Sequence, residues 1–272
     1  MKRLRPEAEV ALAAAREASA VILRVYAEAF EVEWKAKDDP VTVADKEANA
    51  LLCDRLGRAF PGVPLVAEES DPAAYAGFGA AERAWFIDPL DGTREFVAKN
   101  GEFAVMVGLA EGGHATVGVI VAPAWGRSFV GVVGEGAWEI GPDGAQREIH
   151  VSTREELAGA RFVVSRSRAP ERVASFIASV GGHAAPHGSS GLKGALVATG
   201  EADVYLQPGR AGMRWDACAT DALVRAAGGM LTEQGGEDLD YRNGEIGNLR
   251  GMIGDNGRLH RAVIEAFTKQ KG

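Results

Sequence analysis

The sequence predicts a mixed α/β protein, with an α+β N-terminal half and an α/β C-terminal half. Three observations lead there. Two stretches near the N-terminus repeat apolar residues at helical spacing, residues 103–140 break into short β-type runs, and the chain beyond residue 150 alternates strand with helix. The change of pattern sets a boundary near residue 147, giving units 1–147 and 148–272.

The first helix is read over residues 7–30, where Val10, Ala14, Val21 and Val25 oppose Glu9, Arg16, Glu17 and Arg24. The second lies in VTVADKEANALLCDRLGRAFPG, opened by Thr42 and closed before Pro61-Gly62. Thr42-Val43-Ala44-Asp45 has the form of a capping box with Asp in the place of Glu. Strands are read at 64–67, 84–87, 103–109, 116–121, 128–133 and 137–140. Gly-containing turns at 111–113, 134–136 and 142–144 make the later ones an antiparallel meander. The second half reads strand 162–165, helix 170–180, a Gly-Ser loop, helix 189–199, strand 203–206, helix 216–227 and strand 230–232. His260 falls in a C-terminal helix.

Composition excludes several classes. Thirty basic residues against 38 acidic ones give a net charge of -8, which argues against a nucleic-acid backbone or an anionic membrane as partner. Cys53 and Cys218, both in helix-like stretches, suggest neither a disulfide framework nor a metal site and fit a reducing cytoplasm. Glu7, Glu9, Arg16 and Glu17 interrupt the stretch after Lys2, Arg3 and Arg5, so no secretory signal is read. No apolar run reaches membrane-spanning length. A soluble, cytoplasmic protein is expected.

Acidic residues recur where apolar segments end. Glu68 and Glu69 follow Pro64-Leu65-Val66-Ala67, Asp88 and Asp91 follow Ala84-Trp85-Phe86-Ile87, and Asp216 follows Trp215. In α/β architectures strand ends are where ligand sites are built. Oxygen ligands without histidine or cysteine company suit Mg²⁺ or Mn²⁺ rather than Zn²⁺. Each position also has a simpler reading. Asp88-Pro89-Leu90-Asp91-Gly92 is ordinary turn chemistry, Asp216 suits a helix N-terminus, Asp45 caps a helix, and Glu68-Glu69 is a solvated pair. GSSGLKGALVATG has neither the P-loop nor the nucleophile-elbow spacing; it opens a helix whose free N–H groups could take an oxyanion, or it is an N-cap by Ser189 or Ser190. The five histidines form no catalytic arrangement.

Taken together, these segments resemble the inositol monophosphatase superfamily. Asp88-Pro-Leu-Asp91-Gly-Thr93 resembles its first signature, Trp215-Asp216-Ala-Cys-Ala its second, and Glu68-Glu69 the metal-ligand motif, in the family's order along nearly the whole chain. DPLDGTREFVAKNGEFAV, with VVSRSR, GSSGLK, EADVYLQP and EDLDYR, is similar to the bacterial 3'(2'),5'-bisphosphate nucleotidase branch. The resemblance implies a layered αβαβα sugar-phosphatase-type fold. It also implies a Mg²⁺-dependent phosphatase that takes 3'-phosphoadenosine 5'-phosphate to AMP and phosphate, clearing a by-product of sulfate assimilation.

Position by position, it implies that Glu68, Asp88 and the Leu90 carbonyl bind one metal ion and that Asp88, Asp91 and Asp216 bind a second. Two or three ions, Mg²⁺ or Mn²⁺, are expected. Asp45 and Thr93 would orient and activate the attacking water, and the Gly92-Thr93 backbone would hold phosphate oxygens. Ser189, Ser190, Lys193 and Arg168 would contact the nucleotide; some relatives carry His at the Arg168 position and Arg at Gln207, so this chain departs from them there. Lithium sensitivity and a monomer or homodimer are further expectations. The alternatives are inositol monophosphate or fructose bisphosphate as substrate, a non-catalytic nucleotide-sensing module, and a Ca²⁺-stabilised structural protein.

Overall fold

The structure is a computed structural model and describes residues 3–36, 39–167 and 170–270. Helix α1 (Pro6–Ala27) opens with proline in its first turn beside Glu7 and Glu9, a favourable start for both backbone and dipole. Its buried face is mostly alanine, with Ala8, Ala11, Ala14, Ala15 and Ala18 joined by Leu12, Ile22 and Val25. Val10 and Val21, read as core positions, are half-buried at the edge of that face. The small side chains let α2 (Val43–Ala59) pack closely through Ala44, Ala48, Leu52 and Leu56. Between them lies a hairpin that the sequence pattern did not announce, β1 (Val32–Ala36) with β2 (Asp39–Thr42). Thr42 ends β2 and caps α2, and the expected capping box with Asp45 is formed.

The chain continues through β3 (Leu65–Ala67), β4 (Arg83–Asp91), the short α3 (Thr93–Val97), β5 (Ala104–Glu111), β6 (His114–Ala122), β7 (Arg127–Val132), β8 (Gly136–Ile140) and β9 (Gln146–Glu148). These seven strands form one sheet in chain order, antiparallel except for the parallel β3–β4 pair. The second half carries β10 (Arg161–Ser165), α4 (Glu171–Ser179), β11 (His183–His187), α5 (Ser190–Ala198), β12 (Val204–Gln207), α6 (Trp215–Ala226), β13 (Met230–Glu233), β14 (Met252–Asp255) and α7 (His260–Lys269). Its sheet has the order β11-β10-β12-β14-β13. Strands β9, β11 and β14 were absent from the sequence reading. β11, HAAPH, is mostly exposed and lies at the sheet edge, so it shows no apolar run.

The layers follow from three cores. Helices α1 and α2 cover one face of the large sheet, α5 and α6 fill the space between the sheets, and α4 and α7 cover the outer face of the small one. This is the expected αβαβα layering. Glycine decides how close the central layer sits. Gly108, Gly118 and Gly131 are register partners across β5, β6 and β7. A Cβ on Gly118 would fall 2.1 Å from the Ala219 carbonyl oxygen, and one on Gly131 would fall 2.6 Å from Leu223 Cα. The three glycines form a trough that seats α6.

Gly118→Ala is expected to lift α6 from this trough and to lower stability by about 1–3 kcal/mol, read as a shift in the urea unfolding midpoint. An unchanged midpoint would contradict this account of the seating.

Candidate active site

The opening acids of the site come from one backbone irregularity. β4 does not stop at Ile87, as the sequence reading had it, but runs to Asp91 with a bulge between Asp88 and Asp91. Pro89 sits in the bulge, where its missing N–H costs no ladder bond. The Asp88 carboxylate accepts from Leu90 N–H at 3.0 Å, so local turn chemistry is present as well. Gly92 follows at φ +97°, and a Cβ there would lie 2.8 Å from the Glu102 carbonyl oxygen. That residue turns the chain into α3 and brings Thr93 beneath the same edge.

Asp216 reaches the bulge from the other half. It lies in the first turn of α6, and its carboxylate accepts from Met213 N–H at 2.6 Å. Carboxylate oxygens of Asp88, Asp91 and Asp216 lie within 4.8 Å of one another. Glu68, just past β3, joins them in an open cleft. Leu90, Gly92 and Thr93 also line it, as do Ser189, Ser190 and Lys193. Arg168 lies outside the described residues.

Asp45 caps α2 and also meets Thr93. Its Oδ2 accepts from the Thr42 N–H and hydroxyl, each at 2.7 Å, and its Oδ1 accepts from the Thr93 hydroxyl at 3.0 Å. Burial raises its pKa to about 6, against the pull of the Thr42 donors.

Ser189, Ser190 and Lys193 have protein partners. Ser189, held at φ +42°, caps α5 and donates to Asp91 Oδ2 at 2.5 Å. Gly191 N–H donates to the same oxygen at 2.8 Å, and Ser190 donates to the Asp216 carbonyl oxygen at 2.6 Å. The N-terminus of α5 thus receives an anion, and that anion is Asp91. Lys193 is buried and donates to the carbonyl oxygens of Gly188 and Ser189; burial lowers its pKa to about 8.

Three contributors escaped the sequence reading as site groups. Lys35, on the β1–β2 hairpin, pairs with Glu68 at 3.3 Å and with Glu69. Glu95 on α3 lines the cleft. Glu102 accepts from Gly188 N–H at 2.7 Å and from Arg166, tying the α5 loop to the first half. In the sequence, Arg94-Glu95-Phe96 and Asn100-Gly101-Glu102-Phe103 stand out only as part of the segment similar to the nucleotidase branch, with no role attached to Glu95 or Glu102.

The electrostatics ask for a cation. Desolvation, with Asp216 and Glu69 nearby, pushes Glu68 up to about 8 despite Lys35. Burial, then the charges of Glu68, Asp91 and Asp216, holds Asp88 well above the carboxylate range. Four converging carboxylates with all-oxygen donors and one lysine at the rim fit a hard divalent ion.

Fold and site together define a metal-dependent enzyme of phosphate esters. A profile of the inositol monophosphatase family matches residues 3–271, and the chain belongs to that family. It is similar to the 3'(2'),5'-bisphosphate nucleotidase CysQ of Salmonella typhimurium, 35% identical over 230 residues covering 84% of this chain and 90% of the relative. The crystal structure of CysQ from Bacteroides thetaiotaomicron superposes with TM-score 0.78 at 28% identity, covering 94% of this chain and 98% of that one. The extragenic suppressor protein suhB of Bartonella henselae superposes with TM-score 0.82 at 26% identity, covering 96% and 98%.

A carboxyl raised in the fold favours folding while protonated. For Glu68 that stability is present below the unfolded value of 4.5 and is lost as pH climbs to about 8. Divalent ions need the ionised form, so the stabilisation that Mg²⁺ gives should grow between about pH 5 and 8, with protons released on binding. Melting curves with and without Mg²⁺ across that range test this; a stabilisation independent of pH contradicts it.

Proposed function

We propose that this protein is a Mg²⁺-dependent phosphatase that hydrolyses the 3'-phosphate of 3'-phosphoadenosine 5'-phosphate, giving AMP and phosphate. The observation that carries the reading is the convergence of Asp88, Asp91 and Asp216 beside a hydrogen-bonded Thr93–Asp45 pair. In this reading Glu68, Asp88 and the Leu90 carbonyl would hold one ion, and Asp88, Asp91 and Asp216 would hold another, with Mn²⁺ able to substitute. Charge neutralisation at the phosphoryl and leaving oxygens is the chemistry that ions bound there would supply.

The chain's own residues handle the proton. Thr93 already donates toward Asp45 Oδ1 and, at 3.1 Å, toward the Leu90 carbonyl oxygen. Its lone pair is then turned outward to accept from water, and Asp45 receives the proton in relay. The two donors from Thr42 hold Asp45 Oδ2 and leave Oδ1 aimed at Thr93. Asp45, at about 6, is ionised at neutral pH and serves as the acceptor. Ser189 and Gly191 fix the Asp91 carboxylate, and Ser190 fixes the start of α6. Both cysteines are free and no described helix is long and apolar enough to cross a membrane, which supports a cytoplasmic location as part of this proposal.

A phosphate-release panel with Mg²⁺, with and without Li⁺, tests the substrate. The adenosine bisphosphate should exceed inositol 1-phosphate and fructose 1,6-bisphosphate in kcat/KM; equal or greater rates on inositol 1-phosphate would reverse the order. Bisphosphate binding without phosphate release would instead indicate a sensor.

Asp91→Asn should cut kcat by about 10²–10³-fold, the scale of one lost electrostatic donor, while keeping a cooperative melt. Near-normal turnover by a folded Asp91→Asn protein would sink the assignment. At saturating Mg²⁺ the rate should fall as pH drops below about 6, because Asp45 becomes protonated and can no longer accept. A flat profile between pH 5 and 7 would remove Asp45 from the relay.

A further inference from the structure

Glu95 is a carboxylate without a task in the scheme above. It is 7% exposed, so it is as buried as the metal-site acid Asp91, and it lines the same cleft. It stands two residues beyond Thr93 on α3, whose chain turns out of the β4 bulge. Its side chain lies against the α5 loop, since a Cβ on Gly188 would fall 2.3 Å from Glu95 Cγ. Among the described residues, the hydrogen bond its carboxylate receives comes from its own backbone N–H. Its charged neighbours are Asp91 and Glu102, which repel it, and Lys193, which attracts it. The Lys193 ammonium, however, donates to the Gly188 and Ser189 carbonyl oxygens.

A buried carboxylate left short of donors is unfavourable unless something supplies them. Here it stands in a cleft that must admit a phosphorylated, negatively charged molecule, where a second negative charge is doubly unfavourable. A neutral donor on the substrate resolves both costs. Carboxylates accept hydroxyl hydrogens strongly, and the hydroxyl that necessarily accompanies a phosphate on a ribose ring is the one on the adjacent carbon. Glu95 lines the same cleft as Thr93 and as Asp88, Asp91 and Asp216, the acids that would hold the cations facing the phosphate, so a hydroxyl beside that phosphate is the substrate group within its reach.

We infer that Glu95 is a specificity-determining residue that accepts a hydrogen bond from the sugar hydroxyl vicinal to the scissile phosphate. The inference rests on the proposed nucleotidase reading. It assigns the chain a preference for ribo- over 2'-deoxyribonucleoside 3',5'-bisphosphates. It also fits either regiochemistry, because a 2'-phosphate leaves a 3'-hydroxyl in the same relation.

The test measures kcat/KM with Mg²⁺ on adenosine 3',5'-bisphosphate and on its 2'-deoxy analogue. The wild-type protein should prefer the ribo substrate by about 10–100-fold, the range for one hydrogen bond to a charged group. Glu95→Ala should bring the ratio close to one, chiefly by losing rate on the ribo substrate. Glu95→Gln, which keeps an acceptor oxygen, should recover part of the preference. Melting temperature and its rise with Mg²⁺ report that each variant is folded and holds the ion. A wild-type ratio near one overturns the inference while leaving the nucleotidase reading standing. Equal losses on both substrates in Glu95→Ala also overturn it, since they would make Glu95 a support for the α5 loop. No phosphate release from either bisphosphate by the wild-type protein overturns both.

Discussion

The whole structure answers to one constraint: carboxylates that repel each other must be held at nearly one point. Asp88, Asp91 and Asp216 place oxygens within 4.8 Å, with Glu68 on the same wall. No single loop could hold that arrangement, because each acid alone would turn outward to water. The fold therefore brings Asp88 and Asp91 from the β4 bulge, Asp216 from α6 and Glu68 from the end of β3, and fastens the three aspartates from behind. Asp88 is tied to Leu90 N–H, Asp91 to the first turn of α5, and Asp216 to Met213 N–H. The dipole of α5 points its positive end at Asp91, so backbone geometry does some of the work a cation does in front.

That arrangement explains why the central layer is packed so closely. Asp216 rides on α6, and α6 reaches the bulge of β4 only because Gly108, Gly118 and Gly131 let it lie directly on the sheet. Small residues on the helix itself, Cys218, Ala219, Ala222 and Ala226, meet the glycines from the other side. Core packing and ligand placement are one problem here. A side chain added in the trough moves the carboxylate in the first turn of the same helix.

Much of this was legible in the sequence because its signals are local. The capping box at Thr42 to Asp45, the meander from residue 103 and the Asp88-Pro-Leu-Asp91-Gly-Thr93 turn each carry their information within a few residues. The structure adds what depends on distant partners. No spacing rule connects Lys35 with Glu68, or Glu102 with Gly188 at 86 residues' separation. β11 was missed because an exposed edge strand has no apolar alternation to display. The alanine face of α1 was misjudged because burial there follows closeness of approach rather than hydrophobicity, which left Val10 and Val21 at its margin. The bulge is the most instructive case. Its turn signal was read as the end of a strand, yet the strand continues through it.

Seen from the constraint, the simple and the functional readings of these residues cease to compete. Asp45 caps α2 with one oxygen and receives Thr93 with the other, so the cap is what aims the second oxygen. Ser189 is an N-cap, and through the same hydroxyl it restrains Asp91. Local satisfaction of backbone donors and precise placement of acids use the same atoms. This economy also separates Glu95 from the other acids of the cleft. Asp45, Asp88, Asp91 and Asp216 are each fixed by donors from other residues, whereas among the described residues the buried Glu95 carboxylate receives its own N–H. Where those four aspartates are restrained from behind, Glu95 is left to meet a donor from in front.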